Sequence, residues 1–373
     1  MSSTRIRFAV GSRSVHVVHA VGALAALVTL SLVTPAVGAS WTVVNLHPSG
    51  WDESYAYGVS GGQQVGLVID SSYNRHAALW SGSAASFVDL HPVGWIDSYA
   101  VGVSGGQQVG YIVDHTEVSH AALWSGSAAS FVDLHPAGTY RSAAYAVSGG
   151  QQVGYAADHT RVAHAALWSG SADSFVDLHP GGWYASTAYG VSGSQQVGYA
   201  MDQNRLSHAA LWDGSADTFV DLHPGGWYSS VALGVSGGQQ VGHVYANGSW
   251  HAAIWSGSAG SFVDLHPDGW YSSIATGVSG GQQVGHVYSD GSWHAALWSG
   301  SADSFVDLHT VLQRDFTSSY ARAIWHENDI TFVVGYGYDS ATGRAEALMW
   351  VIPEPASLLS LCLALALFPR RRY

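Results

Sequence analysis

The sequence predicts an all-β fold, a seven-bladed β-propeller of four-stranded antiparallel blades closed by the N-terminal strand completing the last blade. Three observations carry this: a unit of about 44 residues recurs along most of the chain, each unit holds four short strand candidates, and the two ends of the array complement each other. The pentad HAALW or a near copy starts at His76, His120, His164, His208, His251 and His294, at offsets of 44, 44, 44, 43 and 43 residues, with a degenerate EALMW from Glu346. An LH pair ends at His47, His91, His135, His179, His223, His266 and His309. A period of this size means a solenoid, a propeller or an array.

Within the unit centred on His164, AYAV (144–147), QQVGYA (151–156), HAALW (164–168) and SFVDLH (174–179) read as strands, separated by SGG, a polar loop and SGSAD. Gly-Gly and Ser-Gly pairs between alternating apolar runs are hairpin signals, and Asn247-Gly248 and Asp290-Gly291 predict two-residue turns in the two shorter units. Nothing in the unit has a helical period. The small-residue strand AxGVS belongs at the axis, where blades crowd and only Ala, Gly and Val fit, and FVDLH at the rim. The HPGGW loops and the loops before HAALW then share one face, the SGG and SGSAD turns the other. WTVVNLH (41–47) has no HAALW before it and EALMWVI has no FVDLH after it, so the first strand can supply the fourth strand of the last blade and remove both sheet edges. A linear β-solenoid is the competing architecture.

The units are similar to those of the extracellular HAF-repeat family, in which a Gly-rich GQxVG hairpin, an HAFxW strand and a following DL recur. Here they read GVSGGQQVG, HAALW and VDL over about residues 41–351, with Ala at the third pentad position. The resemblance implies a secreted or surface-located protein and carries no particular activity.

Both termini read as targeting segments. Arg5, Arg7 and Arg13 precede an apolar run over 17–33, and Val37-Gly38-Ala39 offers small residues for cleavage, so 1–39 reads as a secretory signal peptide and 40–352 as the repeat body. Residues 353–373 place Pro353-Glu354-Pro355 before an apolar stretch (356–368) and Arg370, Arg371 and Arg372. The tail resembles the PEP-CTERM sorting signal of bacterial surface proteins, which implies an exosortase-type machinery as partner, a C-terminal membrane anchor held transiently or stably, and a place in the cell envelope or outside it, among extracellular polysaccharide.

Charged residues make up 10% of the chain, and lysine is absent. Between 40 and 352, 7 Arg face 25 Asp plus Glu, a net charge near −18, which argues against nucleic acid as a partner. The single Cys362 excludes an intrachain disulfide.

Thirteen histidines recur in HAALW and DLH. They could form a metal array, but a residue repeated in every blade serves the blade, here through a network of His, Asp, Ser and Trp; no metal and no cofactor is expected. The pentad tryptophans read as inter-blade packing. The aromatic residues of the HPxGW loops are the candidate ligand contacts: Trp51, Trp95, Trp183, Tyr184, Trp227, Tyr228, Trp270 and Tyr271, a crown that could stack sugars or grip a surface protein unless each ring folds back between blades. His326, Glu327 and Asp329 cluster in the divergent last unit, yet a charged hairpin tip explains them and no catalytic residue is assigned. The expected function is a non-catalytic binding or scaffold module. A polysaccharide-acting propeller enzyme and a purely structural repeat protein are the alternatives.

Overall fold

The computed structural model describes residues 41–313 and 315–353. The signal-peptide reading and the sorting signal from Glu354 onward fall outside them; Pro353 ends the last strand, Arg344–Pro353. No helix among the described residues is long and apolar enough to cross a membrane.

The described residues form seven four-stranded antiparallel sheets. In the third blade the strands run Arg141–Ser148, Gln151–Ala157, Ala163–Trp168 and Val176–Asp177 from axis to rim. The seven first strands touch one another in sequence around a closed circle, the last against the first, so the AxGVS strands do line the axis. The ring closes as expected: Thr42–Asn45 pairs with Arg344–Pro353, Thr42 opposite Val351 and Asn45 opposite Leu348. The rim strand is shorter than FVDLH suggested. Only Val-Asp is laddered in the first six blades, because a 3-10 turn such as Ala172–Ser174 occupies the residues before it.

Alternation along the third strand divides the core between blades. Ala166 and Trp168 face the preceding blade, packing with Val109, Leu123 and Leu134; Ala165 and Leu167 face the following one, with Ala188, Val191 and Trp212. All seven pentad tryptophans are fully buried. Each ring withdraws roughly 200 Å² from water, about 5 kcal/mol of apolar burial before entropy is counted. They stand outside the polar network. Six of the seven Nε1 atoms have no partner, and only Trp350 donates, to the Leu308 carbonyl at 3.2 Å.

The first strand of every blade carries a β-bulge. Ala144 pairs with Gly154 and Ala146 with Val153, leaving Tyr145 as the extra residue. The bulge swings the Ala143 carbonyl over Gly154, where a Cβ would lie 1.9 Å from that oxygen. The glycine of QQVG is therefore the residue that lets the bulge exist. The second glutamine joins the two tight turns of its blade: Gln152 Nε2 donates to the Gly150 carbonyl (2.8 Å), and its Oε1 accepts from Gly170 N–H (2.7 Å).

Candidate functional site: an aromatic face and a central channel

The repeated histidines form one polar relay per blade. In the third, His164 Nδ1 bonds Asp177 (2.9 Å), Asp177 accepts from His179 N–H (2.8 Å), and His179 Nδ1 bonds Ser186 Oγ (2.9 Å). Ser186 Oγ also accepts from the buried Ala165 N–H (2.9 Å), tying the third blade to the fourth, and the two imidazoles stack at 4.1 Å. The last blade reverses the roles. Glu346 replaces the pentad His and accepts from Asn45, which replaces the Asp, at 2.5 Å; Arg344 pairs with the same carboxylate at 2.9 Å.

The relay makes stability pH-dependent. Burial, first, lowers the DLH imidazoles (His47, His91, His135, His179, His223, His266, His309). Bonds to Asp89 and Asp177 raise His76 and His164. Burial also takes His243 down to about 4 and His286 to about 3. A lowered imidazole takes its proton more readily in the unfolded chain, so its contribution is present above pH ~6.5 and lost as pH falls through the folded value. The two raised groups act oppositely, losing theirs as pH rises. Nine lowered groups outweigh two. The melting temperature is expected to fall by at least several degrees between pH 7.5 and pH 4.5, and a flat or rising profile would contradict this balance.

The loop tryptophans are half-buried wedges. Trp183 sits edge-on to His208 (5.2 Å) and Phe219 (5.1 Å), and Trp51, Trp95, Trp227 and Trp270 repeat this against the His and Phe of their own blades. Tyr184 is half-buried with the Arg205 guanidinium 4.6 Å over its ring. Tyr228 and Tyr271 differ: each is 60% exposed. They join residues that the sequence reading passed over. The turns at Asn247-Gly248 (φ 54° and 86°) and Asp290-Gly291 (φ 52° and 83°) are two-residue turns as expected, and they hold Tyr245 opposite Trp250 and Tyr288 opposite Trp293. Two aromatic rows result. Tyr228 meets Tyr245 at 6.2 Å and Tyr245 meets Trp250 at 5.6 Å; Tyr271, Tyr288 and Trp293 repeat the row at 6.2 and 5.0 Å. The Tyr271 hydroxyl donates to the Gly248 carbonyl (3.2 Å), linking the rows across the blade boundary. Tyr73, Tyr338 and Trp250, the other exposed aromatics among the described residues, belong to the same face, since all flank connections between second and third strands.

The expectation that only Ala, Gly and Val fit at the axis is overturned. The bulge gives each inner strand one extra side chain, and those residues (Tyr57, Val101, Tyr145, Tyr189, Leu233, Thr276, Arg322) ring a cavity of about 630 Å³. It runs from this ring to the serines beside the tight turns, where Trp325 replaces one serine, with His243 and His286 at the opposite end. One signal in the sequence was variation at a single position between a constant Ala and a segment that reads Gly-Val-Ser in five of the seven units.

His326, Glu327 and Asp329 lie at a hairpin tip. His326 Nδ1 bonds Thr331 Oγ1 (3.1 Å), Glu327 accepts from Trp325 Nε1 (3.2 Å), and Glu327 and Asp329 are exposed.

No protein-family model and no curated protein matches the sequence. Solved structures show the same fold at low identity. A puromycin hydrolase S511A mutant complexed with PGG aligns with a TM-score of 0.55 and 14% identity over 79% of this chain and 53% of that one. A puromycin-hydrolyzing peptidase of Mycobacterium tuberculosis aligns at 0.54 and 13%, over 83% and 56%. This chain thus spans about half the length of those peptidases. The propeller domain of the Trilobed protease from Pyrococcus furiosus, described as having an open velcro topology, aligns at 0.52 and 10%, over 80% and 94%.

Proposed function

We propose that the protein is a non-catalytic binding module of the cell envelope or extracellular matrix, exported and sorted to the surface, that takes extracellular polysaccharide on its aromatic face. The observation carrying this reading is the segregation of exposed aromatic side chains. Tyr73, Tyr228, Trp250, Tyr271 and Tyr338 all lie on the face of the long connections. Exposed aromatic clusters mark interaction surfaces, because a ring gains contact area with little loss of side-chain freedom. Two parallel rows of rings on adjacent blades suit successive sugar rings of one chain. The loop tryptophans are wedged against His and Phe of their own blades, so the ligand contacts centre on the fifth and sixth blades rather than on a seven-fold crown.

A binding role also agrees with the channel chemistry. Its lining has one ionised side chain, Arg322, and no carboxylate, whereas most glycoside hydrolysis needs a carboxyl pair. A panel of extracellular polysaccharides offered to the protein and to a Tyr228→Ala/Trp250→Ala/Tyr271→Ala variant tests the reading. Saturable binding is expected for at least one polysaccharide, with affinity falling about tenfold or more in the variant at unchanged melting temperature. Equal binding by both proteins, or steady release of shortened chains, would overturn it.

A further inference from the structure

The channel is a second, separate feature, built from residues that the aromatic face does not use. Blades that are nearly identical elsewhere differ at the bulge position, and the differences divide the ring into two walls. Tyr145 and Tyr189 stand on one side with ring centroids 5.3 Å apart, and burial pushes both hydroxyls up, so the phenols stay neutral. Thr276 and Arg322 stand on the other, with His243 and His286 beside them.

Arg322 sets the chemistry. It has no ion pair with a carboxylate among the described residues, although 25 Asp and Glu occupy the repeat body. Its guanidinium lies 5.7 Å over the Tyr57 ring, a contact that leaves the fork of N–H donors free. Beside it, Nδ1 of His243 and of His286 are buried without a hydrogen-bond partner. A buried polar atom without a partner is costly. Two such nitrogens lie beside the Arg322 fork at one end of the cavity.

We infer that the channel binds a small, ring-bearing monocarboxylate, a sugar acid of the glucuronate type, with the carboxylate on Arg322 and the ring against Tyr145 and Tyr189. Arginine matches a carboxylate with two parallel hydrogen bonds, and sugar faces stack on aromatic rings. The cavity of about 630 Å³ admits one or two sugar rings. The acidic body, near −18, repels a polyanion and tolerates a single negative charge far better.

Titration calorimetry of the protein at low salt with glucuronate, glucose, a Gly-Phe dipeptide and polygalacturonate tests this. One glucuronate per chain is expected, bound on the order of tenfold more tightly than glucose or the dipeptide. Arg322→Gln should weaken it on the order of ten- to a hundredfold and erase the preference over glucose. Arg322→Lys, which keeps the charge but loses the fork, should weaken it less, and serves if the glutamine variant does not fold. Equal affinity for glucose and glucuronate, preference for the dipeptide or the polymer, or glucuronate binding unaffected by Arg322→Gln in a folded variant would each overturn the inference.

Discussion

Gly154→Ala is expected to unfold the third blade, at a cost of more than about 4 kcal/mol, the range reserved for substitutions with a severe steric cause. The alanine Cβ would sit 1.9 Å from the Ala143 carbonyl oxygen and 2.8 Å from the Ala144 Cα, both backbone atoms that no rotamer change can move. Relief would require undoing the bulge at Tyr145, which would shift the register of Arg141–Ser148 and turn its buried residues out of the inter-blade core. All seven blades share the contact, at 1.7–1.9 Å. Gly181→Ala is the control, because a Cβ there meets nothing within 4 Å; it should change stability by less than about 0.5 kcal/mol. Urea midpoints of the two variants decide the matter. Equal midpoints would mean that the bulge is not what the glycine serves.

Deleting residues 41–47 should open the ring. The deletion removes Leu46, which is fully buried, the partly buried Trp41, Val43 and Val44, and four ladder pairs along Arg344–Pro353. It also strips Asn45 from Glu346, a carboxylate only 4% exposed. An unpaired sheet edge and a poorly paired buried charge would then coincide at one seam. The truncated protein is expected to lose several kcal/mol of stability and to self-associate. A synthetic peptide of residues 41–47 supplied in trans should restore the monomer. A truncated protein that melts with the parent would show that the closing strand is dispensable.

Much of this architecture was legible because the repeat states its strands seven times. Periodicity alone separated HAALW from QQVG, and the unmatched ends WTVVNLH and EALMWVI announced closure. The channel was not legible. An alternating reading of AYAV treats Tyr145 as an ordinary inward-outward step, and a bulge inserts a residue with no composition of its own. Its trace was the obligatory glycine one strand away, read only as part of the strand QQVGYA. Variation among Tyr57, Val101, Leu233, Thr276 and Arg322 resembled drift between copies until the fold brought those positions together. The loop tryptophans were undecided for a different reason. HPGGW left an exposed crown and rings folded back between blades both open, and the slot between His208 and Phe219 that holds Trp183 comes from residues about 25 and 36 positions onward. Tyr228 and Tyr271 lie in the same loops yet stay exposed.

Hydroxyl-radical footprinting of the protein, alone and with a polysaccharide that it retains, addresses the central claim most directly, because oxidation of each aromatic ring reports which face the ligand covers. Protection is expected at Tyr228, Trp250 and Tyr271, with the wedged Trp183 and the tight-turn face unchanged. Protection confined to Trp325 and the tight-turn face, or an unchanged pattern despite binding, would contradict the assignment of the aromatic face as the working surface.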